Sequence, residues 1–424
     1  MSDTPQQVHV FTSAAFNYIP KVRMLFRSLR QHHPEWKLHL ALADELRPGV
    51  DLSAEPFDAV MPVRDLGIES WRGWAFCHTI VELATAIKPF ALARLLAEPG
   101  TAKVLYMDPD TVSFSRLDDI LAALDEANLV LTPHQTRPEA TLPAVMDNEI
   151  CSLKHGIYNL GFVGVAATET GREFADWWSR RLYHFCRADI PNGLFTDQRW
   201  IDLAPALFDG IAIMRSGRHN VAPWNLTTRE VALDAEGRYT VDGEPLGFYH
   251  FTGFDSGDHR IMSLKNASGN AAVQKLVDWY AGETAVLAKD PLAKEPWAFG
   301  SYSDGTPISK AQRVVYRERV DLQAAFPDPF DASGYLAWWN AQGKREYPAL
   351  FDDSTTAQGL AKLGAVLTPG YRAGAGVGEV NWDRTRSLMA QALTNPATGR
   401  RLARRGWEIL RTEGVGGVKR RLIG

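Results

Sequence analysis

Along residues 8–285, apolar and polar positions change period several times. The stretch 8–14, "VHVFTSA", is a short apolar run that reads as a buried strand. Over 18–34, Val22, Leu25, Phe26 and Leu29 recur at helical spacing, and Pro34 marks the stop. Residues 36–45 return to strand character and end in acids, and 57–63 is another short strand. A long helical pattern covers 79–98, bent or broken at Pro89. The run "KVLYMD" then closes a further strand at Asp108. Strand, helix, strand, short strand, helix, strand predicts a parallel α/β sheet. Further strands are expected at 128–134, 158–167, 211–215 and 247–254, with a helix at 171–185. Ligands in such sheets sit where strands end in loops, which puts residues 12–14, 43–45 and 108–110 along one rim.

Beyond residue 285 the pattern changes. Turn residues crowd 289–309, a helix is expected over 310–326, and a short aromatic helix surrounds Trp338 and Trp339. The expected organisation is a catalytic-type domain at 1–285, an accessory helical segment at 286–345, and a helical or linker tail at 346–424 that is basic at its end. The glycine-rich "RAGAGVGE" (372–379) does not follow a strand in a βαβ unit, so it reads as a linker and not as a phosphate loop. Residues 400–424 interleave arginines and one lysine with Trp407, Ile409 and Leu410. That composition suits a solvated terminal helix or an interfacial helix on anionic lipid.

Charge and composition act mainly by exclusion. The formal net charge is −4 over 424 residues, which argues against a nucleic-acid partner. The three cysteines are far apart and in no metal-ligand spacing, as expected in a reducing compartment. The start, "MSDTPQQVHVF", lacks a basic-then-apolar signal pattern, and no apolar run approaches the roughly 18 residues a span needs. The expected location is the cytoplasm, with peripheral contact at the inner face of the membrane through 400–424 on the lipid reading of the tail.

The chemistry concentrates in "KVLYMDPDTV" (103–112), where a core strand ends in Asp108 and Asp110 around Pro109. Two carboxylates that converge in a turn repel each other unless a divalent cation relieves them. Oxygen-rich ligation suits Mn²⁺ or Mg²⁺ holding a diphosphate. A solvated turn would show the same two acids. His250, ending the aromatic "FYHFTGF", offers an imidazole as third ligand, although a lone histidine is more often a satisfied core residue. "TDQRW" sets Asp197 and Gln198 in a polar break, and "FTSAAFNY" offers Asn17 and Tyr18 as a place for a base to stack. In "RHNVAPWNL", Trp224 and Asn225 could contact a sugar or simply pack a loop.

Taken in order, "VFTSAAFNY", "ELATAIKPF", "VLYMDPDTV", "YNLGFVGV", "TDQRWID" and "YHFTGF" resemble a retaining nucleotide-sugar glycosyltransferase of the GT-A fold, close to family 8 and its bacterial lipopolysaccharide relatives. The resemblance spans residues 8–255. It implies a Rossmann-like mixed central sheet flanked by helices, with a mainly helical C-terminal extension. It implies metal ligands at Asp108, Asp110 and His250, and a nucleotide-contacting loop at Phe11, Thr12, Ser13 and Tyr18. Lys88 resembles a residue near the diphosphate and sugar, and Asn159 with Gly161 a strand lining the sugar. Asp197 and Gln198 match the pair beside the anomeric carbon, and Gly253 the turn that approaches the phosphates. Two departures stand out. Ala14 and Ala15 occupy the place of an acid that reads uracil in many relatives, and the usual lysine after "HFTG" is missing, with Arg260 the nearest cation in sequence. The implied activity is transfer from a nucleotide-sugar, expected to be a UDP-sugar, to a glycan or lipid-linked acceptor of surface polysaccharide. The competing expectations are a non-catalytic glycan-binding or assembly module and a sugar nucleotidyltransferase. The latter needs a glycine-rich basic loop after strand one, which "FTSAAFNY" does not provide.

Overall fold

In the computed structural model of the chain, the described residues are 7–367 together with Arg400, Ala403, Arg404, Trp407 and Arg411. The first apolar run forms β1 (Gln7–Ala14), buried from His9 onward. It continues the sheet through β2 (Lys37–Leu42) to β3 (Ala59–Pro62) on one side and pairs with β4 (Thr101–Met107) on the other. After the short strand β5 (Thr111–Ser113) come β6 (Leu129–Pro133) and β7 (Tyr158–Ala166). The main sheet has seven strands in the order 211–213, β6, β7, β4, β1, β2, β3. Every neighbouring pair is parallel except those that β7 makes with β4 and β6. The class is therefore mixed α/β, as expected. All nine residues of β7 are buried, so helices or loops cover both faces there.

Helix α1 (Ile19–His32) follows the predicted spacing and buries Val22, Leu25, Phe26 and Leu29 against the sheet. It ends two residues before Pro34. After α2 (Trp71–Phe76), the pattern expected over 79–98 is two helices, α3 (Ile80–Ala86) and α4 (Lys88–Leu96). Thr79 and Glu82 form a capping box at the start of α3. Pro89 lies in the first turn of α4, where its missing N–H leaves no hydrogen bond unmade. That break puts Lys88 at the start of a helix and buries it.

A second, two-stranded sheet matters more for the site. β5 pairs antiparallel with Phe248–His250, setting Thr111 opposite His250. Behind it Tyr249, Phe251, Val273, Leu276 and Tyr280 form their own apolar cluster.

The described residues divide into two compact units. One contains all four sheets of the described residues; it runs to Ile308 and includes Phe326–Ala332. The other comprises Ser309–Ala325 and the described residues from Ser333 on. The second is helical, as expected of the extension, with helices at Lys310–Glu318, Val320–Ala325 and Asp353–Leu367. The helix expected over 310–326 is interrupted at Arg319, which instead binds Asp321, Glu346 and Tyr347. The glycine-rich 372–379 and most of the basic tail 400–424 lie outside the described residues. Among the described residues no helix is long and apolar enough to cross a membrane.

Candidate active site

Asp108 follows the last residue of β4 and starts a tight turn. The Thr111 amide and hydroxyl both donate to the Asp108 carbonyl, at 3.0 and 2.7 Å, with Pro109 at the corner. The turn feeds β5, whose pairing carries His250 to the acids. The Phe251 amide donates to the Asp110 carbonyl at 2.9 Å and fixes the register. His250 Nε2 then lies 3.1 Å from Asp110 Oδ1 and 3.5 Å from Asp108 Oδ2. One ligand atom from each of the three lies within 4.8 Å of the others. Two carboxylate oxygens and one imidazole nitrogen at that separation fit a divalent cation of the Mn²⁺ or Mg²⁺ type.

Gly161 on β7 explains how the imidazole reaches this place. A Cβ there would sit 2.3 Å from both Nδ1 and Cε1 of His250. Only a glycine lets the ring lie against β7. The Gly161 carbonyl also accepts from the Asp108 amide at 2.9 Å, so one residue braces two of the three candidate ligands.

A second charged group adjoins the first. Lys88 Nζ lies 3.0 Å from Asp197 Oδ2, 3.2 Å from Asp108 Oδ1 and 3.3 Å from the Leu160 carbonyl. It also sits 4.2 Å above the Tyr106 ring, and the Tyr106 hydroxyl donates to Asp108. Burial opposes the Lys88 charge, but Asp108 and then Asp197 hold the ammonium protonated. Burial pushes the Asp197 carboxyl above its ordinary range, with Lys88 pulling it back and Asp108 pushing the same way as burial. For Asp110, burial is outweighed by His250, which holds the carboxyl below its ordinary value. His250 moves up in turn, burial being outweighed by Asp110 and then Asp108. Asp197 is further fixed by Thr196, whose hydroxyl lies 3.1 Å from Oδ1 and whose φ of 45° is unusual for a threonine. Gln198 spans two segments: its carbonyl accepts from the Leu160 amide at 3.1 Å and its amide donates to the His155 carbonyl at 3.0 Å.

These groups line a cavity of about 900 Å³. Asn17, Asn159 and Trp224 on its wall each carry a buried polar atom with no protein partner: Asn17 Oδ1, Asn159 Nδ2 and Trp224 Nε1. An unmade hydrogen bond at a buried group costs about 1–3 kcal/mol, so such atoms mark places where a ligand adds what the protein lacks. Asn159 is oriented by its own Oδ1, which accepts from the Gly161 amide at 2.9 Å. His134, also on the wall, has its pKa pushed down to about 4, chiefly by burial.

Most of the residues singled out in the sequence meet here. Ser13, Tyr18, Lys88, Asp108, Asp110, Asn159, Asp197, Gln198, His250 and Gly253 all line the cavity. Phe11 and Thr12 do not. β1 runs on to Ala14, so both stay inside the strand with no exposed surface, and Phe11 packs on Tyr106. Asn225 is not on the wall either. Its side chain accepts from the Ala222 amide and donates to the His134 and Asn220 carbonyls, which is a loop-capping role. Asp44, on the expected rim, is buried and accepts from the Phe16, Glu45 and Ala298 amides. Sequence reasoning missed Lys21. It pairs with Asp255, lies 4.5 Å over the Tyr18 ring, and helps His250 hold Asp110 ionised. Its place one helical turn after Tyr18, on the first turn of α1, was the available signal.

No protein-family profile matches the chain. It is similar to the uncharacterized protein YfnD of Bacillus subtilis strain 168, 27% identical over 253 residues, covering 58% of this chain and 78% of YfnD. It is also similar to the uncharacterized protein YfnF of the same organism, 27% identical over 187 residues, covering 43% of this chain and a little over half, 58%, of YfnF. Among solved structures it is similar to the galactosyltransferase LgtC in complex with donor and acceptor sugar analogs, at 16% identity and a TM-score of 0.43, covering 67% of this chain and 98% of that one. A second is the apo form of the glycosyltransferase GlyE of Streptococcus pneumoniae TIGR4, at 14% identity and a TM-score of 0.36, covering 70% of this chain and 66% of that one.

Proposed function

We propose that this chain is a GT-A glycosyltransferase that moves a sugar from a nucleotide-sugar, read as a UDP-sugar, to a glycan or lipid-linked acceptor in surface-glycan synthesis, with retention at the anomeric carbon. One observation carries it: Asp108, Asp110 and His250 converge on the wall of a large cavity, beside a buried Lys88–Asp197 pair. In this reading Asp108, Asp110 and His250 hold Mn²⁺ or Mg²⁺, which when bound offers Lewis-acid stabilisation of charge on a leaving diphosphate.

The rest of the chemistry falls to the chain's own groups. Lys88 adds a fixed positive charge beside Asp108, where the diphosphate is drawn. Gly253, at φ 69°, lets the backbone turn close to the phosphates. Ser13, Asn17 and Tyr18 form the base end, and Asn17 Oδ1 replaces the absent acid as acceptor for an N–H on the base edge. Asn159 Nδ2 and Trp224 Nε1 donate to sugar or phosphate oxygens. Asp197, pinned under Lys88, faces the oxocarbenium-like sugar as a counter-charge and not as a nucleophile. Gln198 cannot ionise and already accepts from Leu160. With neither group free to attack, substitution on one face follows. The acceptor O–H breaks, its oxygen bonds the anomeric carbon, the carbon–phosphate oxygen bond breaks, and the proton leaves on the phosphate.

Thermal shift with UDP, GDP and CDP, each with Mn²⁺, Mg²⁺ or chelator, tests this. A ligand at about a hundred times its Kd adds about 2.7 kcal/mol to the folded state. Stabilisation by UDP only with metal, lost in Asp108→Asn, is the expected result. No metal-dependent shift with any nucleotide would sink the transferase reading in favour of a binding or assembly role.

A further inference from the structure

His134 is the first residue after β6, just past a shift in the β6–β7 register between Leu131 and Pro133. Such irregularities re-aim side chains, and this imidazole lines the cavity. The His134 amide and Nδ1 both meet the Ile157 carbonyl, at 2.9 and 3.2 Å. A carbonyl can only accept, so Nδ1 carries the proton. Burial keeps the ring neutral against the pull of the Ile157 and Gly156 carbonyls. Nε2 is therefore left as a lone pair with no protein partner among the described residues, on a residue that is 8% exposed and lines the cavity. His259 offers a contrast. It also lines the cavity and gives Nδ1 to a carbonyl, that of Thr252 at 3.1 Å, but its Nε2 is fully buried and its ring lies among Tyr249, Phe251 and Phe254.

The position is braced. Asn225 donates to the His134 carbonyl at 3.3 Å, and Gln135 Nε2 donates to the Trp224 carbonyl at 2.7 Å. Trp224 stands beside His134, with ring centroids 5.7 Å apart, and its ring is 6.4 Å from that of His250. Trp224 Nε1 and, two residues after Ile157, Asn159 Nδ2 are buried donors without protein partners. This end of the cavity therefore sets one free acceptor beside free donors. A hydroxyl answers both kinds, because it donates one hydrogen and accepts through two lone pairs. A carboxylate would turn lone pairs on Nε2, and an ammonium would leave the donors unmet. With a pKa pushed down to about 4, the ring is a poor base at neutral pH, so it holds a hydroxyl without taking its proton.

We propose that His134 Nε2 accepts a hydrogen bond from one hydroxyl of a sugar in the cavity, which makes His134 a specificity-determining residue against sugars that lack this hydroxyl. The buried acceptor left unpaired is what penalises such an analogue. That the occupant is a sugar rests on the transferase reading; the free acceptor at the cavity does not.

The hydroxyl belongs either to the donor sugar or to the acceptor sugar, and calorimetry on the full chain separates the two. UDP, UDP-glucose, UDP-galactose and UDP-N-acetylglucosamine are titrated with Mn²⁺. Methyl glucosides and galactosides are titrated with and without Mn²⁺ and UDP. His134→Phe keeps a ring and loses both nitrogens. It should weaken one sugar about tenfold or more, the scale of an unmade buried hydrogen bond, and leave UDP unchanged. A loss confined to a UDP-sugar makes the hydroxyl the donor's; a loss confined to a methyl glycoside makes it the acceptor's. Deoxy analogues of that sugar give the sharper reading. One deoxy position should cost the parent about tenfold and cost His134→Phe nothing further, which a merely structural ring would not produce. His134→Gln, which keeps an acceptor oxygen at similar reach, should recover part of the affinity. Binding of none of these sugars by the parent would overturn the proposal. So would equal sugar affinities in parent and His134→Phe, or equal losses for UDP and its sugars. Should His134→Phe misfold, a parent equally tolerant of every deoxy position would overturn it. Sugar binding that depends on His134 without any nucleotide binding would remove the transferase reading and leave the hydroxyl acceptor standing. Metal-dependent nucleotide binding with no effect of His134 would do the reverse.

Discussion

Among the described residues, two places set a buried histidine against an aspartate. At the cavity, His250 faces Asp110 at 3.1 Å and Asp108 at 3.5 Å. Elsewhere in the same unit, His219 faces Asp119 at 2.9 Å, and Arg218 reaches the same carboxylate at 2.7 Å. The second group is closed. One carboxylate meets one guanidinium, and Arg218 also donates to Ser115 and to the Arg116 and Pro245 carbonyls. Burial keeps His219 below its ordinary pKa, so it stays neutral. The first group is open. Three carboxylates share Lys88 and an imidazole, and the surplus negative charge borders a cavity. A histidine beside an acid is therefore uninformative alone; the charge count around the pair, and the space it faces, separate a ligand set from a structural brace.

Exchanging the acids should break the comparison most sharply. Asp110→Asn is expected to abolish metal-dependent nucleotide stabilisation and lower transfer by roughly 10²–10³-fold, the scale of losing one electrostatic stabiliser. Unfolding free energy without metal should change by no more than about 1 kcal/mol, because the variant relieves like charges as it loses the His250 contact. Asp119→Asn should do the opposite. Its side chain is 38% exposed, so solvent screens part of the pair, and a loss of about 1–2 kcal/mol is expected with turnover unchanged. Urea melts beside donor turnover read both; stability loss in Asp110→Asn with normal activity would make the cavity group a brace like the other.

Next in size is Gly161→Ala. The added methyl meets His250 at 2.3 Å, in a strand whose backbone is bonded on both sides, so the ring must yield. Metal affinity measured by calorimetry should fall about 10–100-fold, the range seen when groups that orient ligands are altered. Overpacking should cost about 1–3 kcal/mol of stability. At His219 the neighbouring glycine is Gly247, where a Cβ would lie 3.1 Å from the ring rather than 2.3 Å; an unchanged metal affinity in Gly161→Ala would mean His250 is not a ligand.

This glycine also shows what a sequence can and cannot disclose. The seven strands of the main sheet, α1 and the end of β4 were legible, because local apolar period and a terminal acid pair are written in adjacent residues. The helix break at Pro89 was legible in the pattern, whereas Lys88 was singled out only by the resemblance of "ELATAIKPF". The pairing of β5 with Phe248–His250 was not legible, because it joins residues more than a hundred positions apart. Without that pairing Gly161 is one glycine in an apolar strand, and Lys21 one cation on a helix. Phe11 and Thr12 came from the resemblance and not from the pattern: the apolar run 8–14 already ended the strand at Ala14, and of "FTSA" the residues on the cavity wall are Ser13 and Ala14.

The smallest expected effect concerns acid. In the closed pair both groups titrate below their ordinary values. Burial alone would raise Asp119, but His219 and Arg218 pull it well down; His219 is lowered by burial against the pull of Asp119. A folded-state pKa below the unfolded one gives stability that is fully present above the unfolded value and is lost as pH falls. For His219 the loss begins near the ordinary histidine value of 6.5, where the unfolded chain takes up a proton that the folded chain refuses. For Asp119 it begins near the ordinary aspartate value of 3.8. Each group that titrates only in the unfolded chain contributes a slope of at most about 1.4 kcal/mol per pH unit. His219→Gln should therefore flatten the decline of unfolding free energy below pH 6.5 by a fraction of that slope, without altering metal-dependent nucleotide binding at neutral pH. If the decline is as steep in the variant as in the parent, His219 is solvated enough to protonate in place, and the closed pair is looser than its distances imply.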